Sequence, residues 1–288
     1  MKTNRTACAA VLAAGVLWGM IGLWNRTLMA AGLSPTGIVA LRNFCGMALL
    51  SALCAARGGK EFRIRRDQLR WFFATGVVSV MLFTVCYFSC QRLCSLAVAS
   101  VLLYTAPAFV VILSALTGEE KLGGKKLSAL ALCLVGCACV CGVFRGGQSV
   151  SLPGLLLGLG AGFFYALYTI FGRRALRSGC GAMTVTLWTF LFAGTASLLF
   201  VRPAEFAAAF TEPKIWLCAA ALAALSTVLP YLLYTWGLSR VENGRAAILA
   251  SIEPVAAALT GVLAFGEPLG GMTLLGTALV LAGGIILG

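Results

Sequence analysis

The sequence predicts an all-α integral membrane protein: ten transmembrane helices in two inverted five-helix repeats. Three observations predict it. First, 60% of the residues are hydrophobic, only 11% are charged, and the mean hydropathy is +0.97. A water-facing domain carries about 25% charged residues, so there are too few charges here to cover a soluble surface. Second, ten apolar stretches approach the roughly 20 residues that cross a bilayer as a helix. Third, "LTGEEKLGG" at 116–124 returns as "LAFGEPLGG" at 263–271, with five identities at one offset of 147.

The stretches follow in order. The first, 7–24, comes after Lys2 and Arg5 and is read as a retained helix rather than a cleaved leader. The second, 37–56, holds Arg42, and the third, 71–90, follows the longest connection, the basic segment 57–70. The fourth, 96–117, contains Tyr104 and Pro107, and the fifth, 127–144, is crowded with cysteine. The sixth, 152–172, carries Gly158, Gly162, Tyr165 and Tyr168, and the seventh, 182–201, carries Trp188. The eighth, 215–238, holds Pro230, Tyr231 and Tyr234; Pro230 is expected to open this helix beside Tyr231. The ninth, 245–265, contains Glu253 and Pro254, and the tenth, 270–288, is rich in glycine. Continuous runs such as "LLYTAPAFVVILSAL" exclude a β-barrel, whose strands alternate in polarity.

Charge placement sets orientation. Counting Lys and Arg over alternate connections puts sixteen on one side (Lys2, Arg5, six in 57–70, Lys121, Lys125, Lys126, Arg173, Arg174, Arg177, Arg240 and Arg245) and five on the other (Arg26, Arg92, Arg145, Arg202 and Lys214). Basic connections stay in the cytoplasm, so a multi-pass protein of the cytoplasmic membrane with both termini inside is expected. The net charge of +13 is thereby explained without nucleic acid. The twelve cysteines are read as small apolar residues. With no histidine in the chain, no metal site and no cofactor are expected.

The offset of 147 also pairs Arg26 with Arg173, Gly32 with Gly179, Tyr87 with Tyr234, Pro107 with Pro254 and Gly136 with Gly283. The chain therefore divides into repeats 1–147 and 148–288. Five helices per repeat is an odd number, so the second half enters the membrane from the opposite side. Inverted repeats of this kind rock around a midplane site in many secondary transporters.

The segments "ALRNFCGMALLSAL", "SVLLYTAPAFVVILSALTGEEKLGGKKLSALALCLVGCACV" and "RAAILASIEPVAAALTGVLAFGEPLGGMTLLGTALVLAGGIILG" resemble the drug/metabolite transporter superfamily, in particular its EamA-type ten-helix members. The resemblance spans essentially the whole chain. It implies a secondary carrier of small organic solutes, export as the direction, and no particular solute. The first half departs from the pattern: Ala106 precedes Pro107 where Glu253 precedes Pro254.

Glu253 lies about 12 Å along its helix from Arg245 at 1.5 Å per residue, and a carboxylate at such depth is a candidate for function. It is read as a coupling carboxylate, loading and releasing a proton, or as a recognition group; Arg42 is the candidate partner for an anionic substrate group. The bland alternative is that Glu253 supports the defect made by Pro254. Trp18, Tyr104, Tyr165, Tyr168, Trp188, Tyr231 and Tyr234 are the candidate cavity lining, whereas Trp24, Trp71, Trp216 and Trp236 suit interfacial belts. Pro107, Pro230 and Pro254 are helix breakers. Glu120 and Glu267 precede the fifth and tenth helices at opposite faces and are read as structural, serving helix N-termini. The glycines Gly15, Gly19, Gly22, Gly158 and Gly162 are read as helix-packing positions.

No phosphate loop of the form G-x-x-x-x-G-K-[ST] is present, and serine–histidine chemistry needs the missing histidine. The expectation is a non-enzymatic carrier whose partners are a small molecule (amino acid, amine or drug-like solute), protons and membrane lipid; its oligomeric state is left open. The alternatives are uptake of a quaternary amine such as choline, which aromatic rings would hold by cation–π attraction, and a non-transporting membrane scaffold.

Overall fold

The computed structural model of the chain describes residues 4–143, 151–268 and 270–287. Lys2, Arg145 and the expected repeat boundary at 147/148 lie outside them. In chain order the long helices are α1 (Arg5–Ala30), α2 (Pro35–Ala56), α3 (Arg66–Leu93), α4 (Leu96–Leu116), α5 (Gly124–Val140), α6 (Leu152–Arg177), α7 (Ala182–Phe200), α8 (Pro213–Leu238), α9 (Asn243–Phe265) and α10 (Gly271–Leu287). All but α5 and α10, which have 17 residues each, have the length and hydropathy to cross a membrane. The protein is a multi-pass, all-helical membrane protein.

Local chemistry sets the helix ends. Ser34 and Ser151 accept from Gly37 and Gly154 backbone N–H groups, and each is followed by a proline in the first turn, where its missing donor costs nothing. The Ser34 amide and hydroxyl also donate to Glu205 Oε2, at 3.3 and 2.8 Å. The hydroxyl bond is the main cause that holds the Glu205 carboxyl below the usual carboxylate range. Two residues past the ends of α1 and α6, Gly32 and Gly179 both take φ +95°, a backbone state that side chains oppose.

Two departures from expectation and one expected pair of helix breaks bear on the site. Helix α1 runs on to Ala30, bending at Met20 without ending. Arg26 is therefore part of the helix, and Trp24, expected at an interface, donates from Nε1 to Ser226 Oγ in α8 at 3.1 Å. Helices α4 and α9 are each broken, at Tyr104–Thr105 and at Ser251–Ile252, before Pro107 and Pro254. Proline has no N–H and crowds the preceding turn; Thr105 and Ser251 hydroxyls take up carbonyls of Leu102 and Ala247 at 2.6 and 3.3 Å. Finally, Pro230 does not open α8. A π turn over Ala224–Val228 widens the helix just before it, and Thr227 Oγ1 donates to the Leu222 carbonyl at 2.9 Å.

Helices α5 and α10 cross antiparallel in backbone contact. A Cβ on Gly136 would meet the Gly276 carbonyl, and one on Gly283 would meet the Ala129 carbonyl. The shift of 147 converts each contact into the other. Cys133 and Val280, themselves 147 apart, touch at 3.9 Å, so a local two-fold axis passes between them. The basic connections gather at one end of the bundle, where Gln68 Nε2 bonds the Ser178 carbonyl (3.0 Å), Lys126 bonds Glu242 (2.7 Å) and Arg177 bonds Glu119 (2.9 Å). The opposite end holds the Ser34–Glu205 and Arg26–Glu267 contacts.

Candidate functional site

Glu253 is the first residue of the second half of α9, about 15 Å along the axis from Asn243 at 1.5 Å per residue. The break places a carboxylate at a fresh helix N-terminus, where free backbone N–H groups favour negative charge. Tyr165 Oη donates to Glu253 Oε2 at 3.5 Å, and the Tyr104 hydroxyl is its second hydrogen-bonding neighbour. Arg42 lies within electrostatic reach of Glu253, Tyr165 and Tyr231, and its Nε is buried with no hydrogen-bond partner. Small residues bring the walls this close. A Cβ on Gly19 would stand 2.6 Å from the Glu253 carbonyl, and one on Gly162 would stand 2.8 Å from the Leu102 carbonyl. Gly22 meets nothing within 4 Å, so the expected packing role does not extend to it.

Trp18, Tyr165, Tyr168, Tyr231 and Tyr234 gather with Pro107 around a cavity of about 30 Å³, room for one water. The rings fill one another's space: Trp18 meets Tyr231 edge-on at 5.3 Å, and Tyr168 meets it at 5.1 Å. Tyr168 and Tyr234 hydroxyls pair with Thr235 and Thr169, both at 2.7 Å. In this arrangement the rings form a packed cluster, with no space for a quaternary ammonium group. Trp188 stands apart from this cavity. It donates to the Glu61 carbonyl at 3.1 Å and stacks on Phe72, because the 57–70 segment folds back over α7 and supplies an acceptor the indole needs.

Tyr104 lines a different and larger cavity, of about 720 Å³, with Leu96, Cys141, Pro254, Glu267 and Thr273. Glu253 therefore sits between a closed aromatic cluster, reached through Tyr165, and an open cavity, reached through Tyr104. Among the described residues, that cavity opens at the end of the bundle away from Lys126.

Glu120 and Glu267 have different surroundings. Glu120, with a side chain 7% exposed, binds Lys126 at 2.8 Å and accepts from the backbone amides of Asn243 and Gly244. It thus caps α9, not the α5 it precedes, because the turn through Gly118 carries it beneath the start of α9. Glu267 is half exposed and pairs with Arg26, which lies over the Phe265 ring. Asn243 and Lys126, not singled out in the sequence, are central here. Asn243 bonds Ser114 (3.1 Å), Glu119 (2.9 Å) and Arg173 (2.7 Å). An Asn opening an apolar helix was the available signal; Lys126 looked like one loop charge among many.

A model of the EamA-like transporter family matches residues 5–142 and again 152–288. The chain belongs to that family. Among EamA-like relatives, an uncharacterized transporter of Archaeoglobus fulgidus is 30% identical over 278 residues, 96% of this chain and 94% of its own length. The threonine/homoserine exporter of Escherichia coli is 28% identical over 275 residues, covering 93% and 88%. A probable amino-acid metabolite efflux pump of Salmonella typhimurium is 29% identical over 193 residues, 64% of each chain. A solved structure aligns over 99% of this chain and 96% of its own with TM-score 0.82 at 21% identity, a likeness of fold. This EamA-like protein is a membrane transporter of small molecules.

Proposed function

We propose that the chain is a ten-span secondary carrier of two inverted halves, 1–147 and 148–288, with both termini cytoplasmic, and that it exports a small zwitterionic metabolite of the amino-acid kind in exchange for a proton. The single observation that carries this reading is the carboxyl at the helix break: Glu253 beside Tyr165 and Tyr104, with Arg42, whose buried Nε has no hydrogen-bond partner, within electrostatic reach. A carboxylate and a guanidinium at one site match the ammonium and carboxylate of a zwitterion. A carboxyl whose two tyrosine neighbours line a closed and an open cavity is also placed to pass a proton between them. Relatives described as amino-acid efflux proteins point the same way. The sixteen-to-five charge bias supports the orientation. Packing of the aromatic cluster leaves the quaternary-amine reading without a cage.

The test is uptake of labelled threonine, homoserine and a panel of other amino acids, amines and nucleobases into proteoliposomes, with and without a pH gradient. The native protein is expected to move amino acids faster under the gradient. Glu253→Gln is expected to abolish the gradient's effect, and Arg42→Gln to raise KM at least tenfold for solutes carrying a carboxylate while sparing those without one. Gradient-driven transport by Glu253→Gln equal to the native rate would sink the coupling role.

A further inference from the structure

The two repeat-related carboxylates differ in a way that follows the open and closed ends of the molecule. At the end gathered around Lys126, Glu120 is docked on the first amides of α9, at Asn243 and Gly244, with Lys126 alongside. Shifting these positions by 147 gives Glu267 for Glu120, Leu96 for Asn243, Ala97 for Gly244 and Thr273 for Lys126. All four counterparts line the open cavity of about 720 Å³. There Glu267 turns aside to Arg26, and α4 begins at Leu96 with Ser95 as its cap. The same parts are assembled at one end and held apart across a cavity at the other.

We propose that Glu120 and Glu267 are alternating gate latches. Whichever end is closed has its carboxylate docked on the first amides of the broken helix facing it: Asn243 and Gly244 for Glu120, Leu96 and Ala97 for Glu267. The carrier inverts by releasing one latch and closing the other. This rests on the alternating-access reading above. The first amides of a helix have no intrahelical acceptor, and the local dipole favours an anion there. Each end state keeps one carboxylate docked, so inversion exchanges the contact instead of forfeiting it. The two latches are unequal. Lys126 has Thr273 as its counterpart, and Glu119 adds a bond to Arg177 at 2.9 Å at the closed end alone. The equilibrium therefore favours closure at the Lys126 end, the state seen here.

Hydrogen–deuterium exchange on the purified full-length protein tests this, followed over 96–103 and 243–250, with labelled-threonine uptake measured in parallel. Glu120→Gln is expected to speed exchange over 243–250 about tenfold, the worth of one hydrogen bond to a charged group, and to slow it over 96–103 as that end closes. Adding Glu267→Gln is expected to reverse the slowing at 96–103. Should Glu120→Gln fail to fold, Lys126→Gln carries the same paired expectation. A rise confined to 243–250, with 96–103 as in the native protein, makes Glu120 a static cap and overturns the proposal. Paired exchange changes in a protein that moves no solute would leave the latch standing and remove the transport reading. Transport without paired changes would do the opposite.

Discussion

Single hydroxyls separate structure from function among the tyrosines. Tyr168 and Tyr234 each spend theirs on a buried threonine at 2.7 Å, while Tyr165 offers its own to Glu253. Removing one partner of a buried bond leaves the other unsatisfied at a cost of about 1–3 kcal/mol. Tyr168→Phe is expected to lower the thermal unfolding temperature while leaving the pH-gradient dependence of transport intact. Tyr165→Phe is expected to do the reverse, because its bond to Glu253 is long and its loss acts on the carboxyl. Paired melting and uptake curves check both. The sequence placed these residues in the membrane and in the right helices, but every one of them read alike as a deep aromatic. Which hydroxyl faces a carboxylate and which faces a threonine depends on side chains 65 or more residues away.

Among elements, the breaks in α4 and α9 and the crossing of α5 with α10 do the most to shape the molecule. Proline at positions 107 and 254 announced the breaks. The π turn before Pro230 was not legible, because a helix accommodates proline either by breaking or by widening, and neighbouring helices decide which. At the α5–α10 crossing, a Cβ on Gly276 would stand 2.5 Å from the Gly136 carbonyl and 2.8 Å from Cys139 Cβ. Backbone cannot move aside as a flexible side chain can. Gly276→Val is expected to cost roughly 1–3 kcal/mol and to lower the melting temperature of the detergent-solubilised protein. Gly22→Ala, with nothing within 4 Å, is expected to leave it unchanged or raise it slightly through better helix propensity.

At the scale of the whole molecule, one asymmetry among the described residues organises the rest: the end bearing the basic connections is held by a dense charge network, and the opposite end has an open cavity. The 57–70 segment belongs to the closed end through Gln68–Ser178 and Trp188–Glu61. Trypsin is expected to cut at Lys60 or Arg63 in inside-out vesicles and to spare both in sealed right-side-out vesicles. Cleavage from the outer face would reverse the orientation. The repeat that made this architecture legible also shows where symmetry fails, since Glu253 and Lys126 face Ala106 and Thr273 across it.

By itself the sequence determined the membrane environment, the helical segments to within a few residues at most ends, the duplicated family architecture and the place of Glu253 in the interior of α9. These are local or periodic properties: apolar runs, proline positions and a fixed offset are each written within a short window. Only the tertiary structure decided that Glu120 serves α9, that Trp188 leaves the cavity, that the aromatic rings pack on themselves, and that the two tyrosines beside Glu253 line different cavities. Those outcomes depend on contacts between residues more than 60 and up to 213 positions apart, and a single sequence carries no local mark of which of many chemically suitable partners comes within bonding distance.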